Sequence, residues 1–184
     1  MERFVTWLME KLGRERFEIG RRGLDRYLTR WTLWGKRANA DGKGKVFLHL
    51  FHRGDAEPYN HDHPWPFWSL ILWGGYWEVT ECTAPAEVRD ALQAGELVPQ
   101  SWEDGVMILR KPVYRRKWYG PFRLLRRPAE WRHRAELPEG KRCWTLIWTG
   151  PKIRSWGFWC PQRGWINWRE HEKNQEAGQP GCGE

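Results

Sequence analysis

Hydrophobic residues recur with two different periods along this chain. Near its start, apolar residues mark one helical face, namely Phe4, Val5, Leu8 and Leu12. Their spacing predicts a short amphipathic helix over residues 2–12. Farther along, short runs rich in aromatic and β-branched residues alternate with Gly, Pro and Asp, which is typical of strands joined by turns. The pattern therefore predicts one short helix followed by a mainly β region.

Turn residues divide this β-rich region into strands. Two hairpins are predicted, one about the glycine-containing turn at 41–44 and one about Gly74-Gly75. Their four strands are expected at 27–34, 45–51, 67–73 and 76–81. The later elements are expected to be an irregular excursion with a short helix, four strands and a final helical turn, at 84–104, 106–109, 132–137, 143–149, 154–160 and 165–171.

Many short strands between turn residues favour one β-barrel or sandwich domain. Residues 1–26 combine the predicted helix with a basic segment, and we expect them to form an N-terminal arm. Residues 27–172 carry the strands and are expected to form the barrel. Residues 173–184 are rich in Gly, Gln, Glu and Pro, so they are expected to be a disordered tail.

The composition is basic and rich in tryptophan. The net charge of +8 favours anionic partners, and an incidental excess of surface charge explains it equally well. The 16 tryptophans suit the walls of a pocket as well as a core. Four cysteines without a CxxC pair do not require a disulfide framework in a chain of this size. Since no signal peptide or long apolar run is evident, we expect a cytoplasmic protein that does not enter a membrane.

One stretch concentrates basic and aromatic residues. Between Gly105 and Ala129 there are eight Lys and Arg and no acid. The aromatic residues among them are Tyr114, Trp118, Tyr119 and Phe122. Such a stretch can neutralise phosphates and stack bases, which predicts contact with nucleic acid. A solvated loop and strand edge is the other interpretation, because charge runs are common on protein surfaces.

The candidate chemistry lies in the histidines of the segment Asn-His-Asp-His-Pro-Trp. His61 and His63 are two residues apart, so in extended backbone both rings project from the same face. Two imidazoles on one face can share a transition-metal ion. His133 follows a turn and begins a predicted strand, which makes it the candidate for a third ligand. The metal-free alternative is that His61 caps a turn and His133 is a surface strand residue.

These residues resemble the two sequence motifs of the cupin superfamily. The positions that correspond to the first motif, a His-x-His pair between glycines, are Gly54, His61, His63 and Gly74 or Gly75. Those that correspond to the second, Pro-x-Gly-x-x-His, are Pro128, Glu130 and His133. The resemblance implies an all-β, cupin-like double-stranded β-helix, or jelly-roll barrel, with a short N-terminal helix. The segment is also similar to small cupin-like proteins of bacteriophage and bacterial genomes, and a phage origin would imply the host cytoplasm.

The departures from the motifs shape the expected site. Gly54 is one residue too far from the histidine pair, and Glu130 replaces a glycine. The metal-binding glutamate of the first motif falls on Phe67 or Trp68, which cannot bind a metal. The resemblance therefore implies His61, His63 and His133 as the ligands, without a carboxylate. It favours Fe(II) as the metal, with Zn or Ni as alternatives, because imidazole suits all three.

Other residues are assigned more open roles. His49 shares a strand face with two aromatic residues and is either a fourth metal ligand, a hydrogen-bond donor behind the ligands or a core histidine. Asp62 is expected to face away from the ligands and to orient an imidazole or fix the turn. Tyr76 and Glu78 share a face and are the candidate catalytic groups, with packing and solvation as their alternatives. The candidate substrate-binding residues are Arg154, Lys152 and Trp65; for Arg154 a cross-strand ion pair is the alternative.

Three hypotheses about function follow. The preferred one is a metal-dependent enzyme, a non-haem iron dioxygenase acting on a small or nucleotide-like anionic substrate. The second is a basic, non-catalytic module that binds nucleic acid or a nucleotide through residues 105–129. The third is a phage protein that interacts with the host and has lost its chemistry. By analogy with cupins that pair through strand edges, a homodimer is also expected.

Overall fold

The computed structural model describes residues 2–20, 26–35, 44–99, 101–109 and 111–183. The helices in these ranges are α1 (Glu2–Lys11), α2 (Pro85–Gln93) and α3 (Trp168–Glu176). The strands are β1 (Arg16–Gly20), β2 (Arg26–Trp34), β3 (Lys45–Phe51), β4 (Asn60–His61), β5 (Phe67–Trp73), β6 (Tyr76–Glu81), β7 (Leu97–Val98), β8 (Ser101–Glu103), β9 (Val106–Ile108), β10 (Tyr114–Tyr119), β11 (Leu124–Arg127), β12 (Arg134–Glu136), β13 (Cys143–Thr149), β14 (Gly157–Cys160) and β15 (Gly164–Asn167). None of the helices in these ranges has the length and apolar character needed to cross a membrane.

Eight strands form the jelly roll that the sequence predicts. One sheet places β3, β13, β5 and β11 side by side and is extended beyond β3 by β2 and β1. The other places β12, β6 and β10 side by side, and a backbone bridge joins β4 to the start of β12. Strands β3 to β6 alternate between the two sheets, and strands β10 to β13 alternate back in the reverse order. This double winding is the jelly-roll arrangement, so the predicted all-β fold with a short N-terminal helix is confirmed.

Alternation along the strands gives the larger sheet two buried faces. On its outer face, α1 covers a cluster formed by Trp31, Leu48, Leu50 and Trp144. Successive side chains of a strand point to opposite faces, so the intervening residues of β3 point between the sheets. Those residues, Phe47, His49 and Phe51, line an internal cavity. A strand that is apolar on one face and carries a histidine on the other thereby supplies both the core and the cavity wall.

The predicted first hairpin is confirmed and the second is wrong. β2 pairs with β3 in antiparallel register, although residues 36–43 of the connection lie outside the described ranges. β5 and β6 have the predicted bounds but do not pair with each other. β5 lies between β13 and β11 in one sheet, and β6 lies between β12 and β10 in the other. Gly74-Gly75 therefore carries the chain from one sheet to the other.

Gly74 is required at this crossing by both its conformation and its surroundings. Its φ is +79°, a region that L side chains rarely adopt, and an added Cβ would lie 2.2 Å from the carbonyl oxygen of Arg142.

We expect Gly74→Ala to lower the free energy of unfolding by about 2–4 kcal/mol, measured by urea denaturation. The matched control is Gly140→Ala, where φ is +65° but nothing lies within 4 Å of the added Cβ. The control substitution should lower the free energy of unfolding by only about 1–2 kcal/mol. If both substitutions lower it equally, the close approach to Arg142 makes no contribution at Gly74.

Both ends of the chain are more ordered than the sequence predicts. β1 pairs with β2, so part of the N-terminal arm belongs to the larger sheet. The predicted helical turn at 165–171 is instead the strand β15 followed by α3. The tail expected to be disordered from residue 173 continues α3, and its buried Cys182 forms a disulfide with Cys160. The two cysteines are 22 residues apart in sequence, and the tail becomes ordered because it packs against β14 and β15.

Candidate metal centre

A backbone bridge brings the distant histidines together. His61 N donates a hydrogen bond to His133 O at 2.9 Å, and His133 N donates to His61 O at 3.0 Å. Two residues later, His63 N donates to the carbonyl oxygen of Ala129 at 2.9 Å. The segments 61–63 and 129–133 are therefore held side by side at the edge of the smaller sheet. This pairing collects the three predicted ligand side chains in one cluster.

The three imidazoles offer nitrogen atoms to a common point. One ring nitrogen from each of His61, His63 and His133 lies within 4.8 Å of the others. Nε2 of His63 and Nε2 of His133 are 2.9 Å apart. Two nitrogens at metal-bond lengths of about 2.0–2.1 Å from one ion reach a similar separation. The donor set therefore fits one divalent transition metal, and three ligands leave further coordination positions open.

Glu78 binds His133 on the ring nitrogen that faces away from the cluster. His133 Nδ1 lies 2.7 Å from Glu78 Oε1. A carboxylate at Nδ1 places the proton there, so Nε2 keeps its lone pair for the metal. Glu78 is 2% exposed and is not among the residues that line the cavity. Its contact indicates that it positions His133, and a catalytic role for Glu78 stays a prediction.

Arg127 and Trp131 complete the surroundings of Glu78. Arg127 donates from Nε at 3.1 Å and from Nη2 at 2.6 Å, one bond to each carboxylate oxygen. Trp131 Nε1 donates to Oε1 at 3.1 Å. Burial raises the pKa of Glu78, but the hydrogen bonds and charges of His133 and Arg127 outweigh it and lower the pKa to about 2. The carboxylate is therefore ionised at neutral pH and accepts a hydrogen bond from the N–H group at Nδ1 of His133.

Burial favours the neutral form of the other two histidines. Burial lowers the pKa of His61, and the nearby His133 lowers it further. Burial lowers the pKa of His63 well below its usual value, with additional contributions from His133 and His61. A neutral imidazole has a lone pair, whereas an imidazolium has none to donate. Both rings are thus in the protonation state that binds a metal at neutral pH.

Asp62 fixes the turn between the two histidines. Its Oδ1 accepts a hydrogen bond from Gly157 N at 2.8 Å, and its Oδ2 accepts one from Trp165 Nε1 at 2.9 Å. Arg154 Nη1 forms an ion pair with Oδ2 at 3.0 Å. Asp62 is completely buried, so these contacts anchor the histidine segment to β14 and β15. Arg154 is engaged here and does not line the cavity, which favours the ion-pair alternative over a role in substrate binding.

The candidate metal centre opens into a cavity between the two sheets. Its volume is about 350 Å³, and all three histidines line it. Phe67 is one of the two residues on which the glutamate of the first motif falls, and its ring centroid lies 4.6 Å from that of His63. Aromatic and aliphatic side chains make up most of the remaining wall, among them Tyr27, Leu28, Phe47, Phe51 and Ile147. The space beside the histidines is therefore suited to a small ligand with an apolar body.

The remaining predicted site residues have different positions. Trp65 and Tyr76 both line the cavity. Burial raises the pKa of Tyr76 above its usual value, so its hydroxyl stays protonated and can hydrogen bond with a ligand. Lys152 is exposed and does not line the cavity, because it lies in the loop after β13. Its contact with substrate stays a prediction.

His49 lines the cavity but lies outside the three-histidine cluster. It belongs to β3 in the larger sheet, whereas the cluster is at the edge of the smaller one. Its Nε2 accepts a hydrogen bond from Arg30 Nε at 2.9 Å, so this nitrogen is already engaged. The cluster therefore does not include His49, and its role as a fourth ligand stays a prediction.

The basic stretch at 105–129 is partly neutralised by acids from other elements. The ion pairs of this stretch are Arg115 and Lys117 with Glu96, Arg116 with Glu136, and Arg127 with Glu78. Their partners come from segments that are distant in sequence, which the local absence of acids conceals. Its contact with nucleic acid stays a prediction.

Five polar residues of the cavity were not singled out from the sequence, namely Arg30, Asp55, Ser69, Thr145 and Thr149. Arg30 and Thr145 both line the cavity on the larger sheet. Alternation in β2 places Arg30 on the same face as Leu28, which is a signal that a period-two analysis can detect. Thr145 lies within the apolar run of β13 and carries no comparable signal.

Fold and site together define a jelly-roll protein with three histidines arranged to hold a divalent metal. Similar solved structures include a cupin-2 domain protein from Rhodospirillum rubrum, with 14% identity, a TM-score of 0.44 and coverage of 75% of this chain and 70% of that one. The DMSP lyase DddQ from Ruegeria pomeroyi has 12% identity, a TM-score of 0.46 and coverages of 85% and 66%. Hydroxypropylphosphonic acid epoxidase from S. wedmorenis has 8% identity, a TM-score of 0.43 and coverages of 74% and 55%.

These similarities are too distant to transfer a reaction or a substrate. No protein-family model matches the chain. No curated protein matches it either. The site must therefore be interpreted from its own geometry.

Proposed function

We propose that this protein is a non-haem iron dioxygenase of the cupin type, acting on a small or nucleotide-like anionic substrate. The observation that carries this proposal is the cluster of three imidazoles beside an apolar cavity. Iron(II) held by three imidazoles retains open positions, and its chemistry would be the activation of dioxygen next to the bound substrate.

The residues of the chain have separate roles in this proposal. His61, His63 and His133 would hold the metal, and Glu78 keeps Nε2 of His133 directed to it through the bond at Nδ1. Tyr76 offers a protonated hydroxyl to the substrate. The aromatic wall excludes water, so polar interactions inside the cavity are stronger than in solvent.

Metal analysis and oxygen uptake test the proposal together. Protein purified without a histidine tag should bind about one Fe(II), Zn(II) or Ni(II) ion per chain. The iron-loaded protein should consume dioxygen when small carboxylic acids are added, and an oxygen electrode measures this uptake. The zinc-loaded protein is the control and should consume none. Failure to take up any metal would contradict the whole proposal. If the protein binds iron but consumes no dioxygen with any of the acids, the assignment as a dioxygenase is wrong.

A nucleic-acid-binding module is the second candidate. Its support is the exposure of aromatic side chains in the basic stretch, where Phe122 is 83% and Trp118 is 41% exposed. Binding of a labelled oligonucleotide, followed by fluorescence anisotropy, should weaken steeply as salt rises. Binding that is absent or insensitive to salt would argue against it. A host-interaction role, a homodimer and a cytoplasmic location stay predictions, which co-purification, light scattering and cell fractionation can check.

A further inference from the structure

A row of three polar side chains crosses the cavity wall formed by the larger sheet. Arg30 on β2 is directly opposite His49 on β3, and Thr145 on β13 is opposite His49 on its other side. All three residues line the same cavity as the three-histidine cluster. Since the cluster belongs to the smaller sheet, the polar row and the candidate metal centre border the cavity from different sheets.

The hydrogen bond between Arg30 and His49 determines which nitrogen of His49 carries the proton. Arg30 Nε is always a donor, so His49 Nε2, 2.9 Å away, must accept. The proton of the neutral ring is then on Nδ1. His49 Nδ1 is buried and has no hydrogen-bond partner, and the same is true of Thr145 Oγ1 in the next strand. Two buried polar groups in adjacent positions thus lack a partner, and such groups are rare unless a ligand or water satisfies them.

Arg30 adds a positive charge to this row. Among the residues that the structure describes, no carboxylate forms an ion pair with it, and its guanidinium lies over the Phe47 ring at 4.7 Å. Burial lowers the pKa of Arg30 to about 10, so it remains charged at neutral pH. Asp55 also lines the cavity, but its carboxylate accepts hydrogen bonds from Tyr27 Oη at 2.5 Å and Ala135 N at 2.6 Å. The guanidinium is therefore available to an anion that enters the cavity.

We propose that Arg30, His49 and Thr145 form a binding site for the carboxylate of the substrate. The guanidinium, the Nδ1 proton of His49 and the hydroxyl of Thr145 supply donors for both oxygens of a carboxylate, and a guanidinium fork matches that group. The rest of the molecule would lie in the apolar cavity, with its reactive end towards the three histidines. The anion site itself needs no metal; only the identification of its ligand as the substrate rests on the proposed function.

Equilibrium binding to metal-free, full-length protein tests this site. Phenylacetate, hexanoate and the neutral analogue phenylacetamide are the probes, measured by isothermal titration calorimetry after treatment with a chelator. We expect at least one of the two acids to bind, and phenylacetate to bind at least about tenfold more tightly than phenylacetamide. Phenylmethylphosphonate is included, and tighter binding of this probe than of both acids would overturn the carboxylate assignment.

Variants show whether the binding depends on this row. Arg30→Met should weaken binding of the acid at least about tenfold, and Thr145→Val should weaken it less, since it removes a neutral partner. Arg126→Met is the matched control, because Arg126 is exposed and lies over Trp68 outside the cavity. Arg30→Lys keeps the charge and should retain part of the affinity. Thermal unfolding of each variant identifies a loss that comes from misfolding.

The outcomes separate this site from the metal centre. Wild-type affinity in a folded Arg30→Met variant would overturn the proposal, and so would the absence of binding by both acids. Arg30→Met should still bind zinc as the wild type does. A protein that binds acids but no metal would thus retain the anion site and lose the proposed enzyme.

Discussion

Replacement of His133 by alanine is expected to weaken the binding of a divalent metal by more than about 100-fold. His133 provides one of three nitrogens that converge within 4.8 Å, and loss of a group that merely orients a ligand already costs about 10–100-fold. His63→Ala should have the same effect, because its Nε2 lies 2.9 Å from that of His133. The measurement is competition with a chromophoric chelator for zinc or cobalt, on protein without a histidine tag.

His52→Ala is the matched control for these variants. His52 lies just after β3 and its Nε2 is 2.8 Å from the Thr29 hydroxyl, outside the cavity. The His52→Ala substitution also removes one imidazole from the chain, and it should leave the metal affinity unchanged. If His133→Ala binds zinc as tightly as the wild type does, the ion is held elsewhere and the proposed enzyme has no metal centre.

Glu78→Gln is expected to affect both stability and metal affinity. The change removes the charge that Arg127 pairs with and leaves this guanidinium, with a side chain 11% exposed, without its partner. Breaking one side of a buried ion pair typically costs about 3–5 kcal/mol, so we expect a loss of that order in the free energy of unfolding. Metal affinity should fall about 10–100-fold, because His133 loses the carboxylate that orients its ring.

The double variant Glu78→Gln/Arg127→Met separates these two effects. Removing the guanidinium relieves the unpaired buried charge, so stability should recover towards that of the wild type. Metal affinity should not recover, because the carboxylate on His133 Nδ1 is still missing. Urea denaturation and chelator competition measure the two quantities independently. If both recover together, Glu78 acts on the metal site through stability alone.

The acid stability of the protein should depend on the same carboxylate. The pKa of Glu78 in the folded state, about 2, lies below its ordinary value of about 4.3. A depressed pKa means that the stabilisation is present above the unfolded pKa and is lost as pH falls towards 2. The Glu78→Gln variant should therefore lose less stability than the wild type over this acidic range.

Strand positions were predictable, whereas strand partners were not. The bounds of β5, β6 and β13 follow from apolar runs that end at glycine or polar residues. The pairing of β5 with β6 was predicted wrongly because a two-residue glycine turn is equally compatible with a hairpin and with a crossing between sheets. The choice depends on contacts with β11, β12 and β13, all of which lie later in the chain. The same applies to the tail, which is held by Cys160 and β15.

The sequence identified the histidines of the site but not the groups around them. His61 and His63 are two residues apart in the sequence, and the turn before His133 together with the motif resemblance indicates the third histidine. The Gly-Pro turn favours Arg154 and Lys152 as substrate-binding cations, whereas among the described residues the cavity is lined by Arg30. Arg154 instead forms an ion pair with Asp62, which belongs to a segment distant in sequence. Whether a cation forms an ion pair with an acid or lines the cavity depends on how the two sheets pack together.

By itself, the sequence determined a mainly β chain with a short N-terminal helix, a His-x-His pair and a distant third histidine, because these follow from local periodicity, turn residues and spacing. Only the tertiary structure decided that β5 and β6 separate, that Glu78 binds the back of His133, and that Arg30, His49 and Thr145 share a wall. The physical reason is that these contacts join residues from separate strands, whose distances arise only when the two sheets pack together.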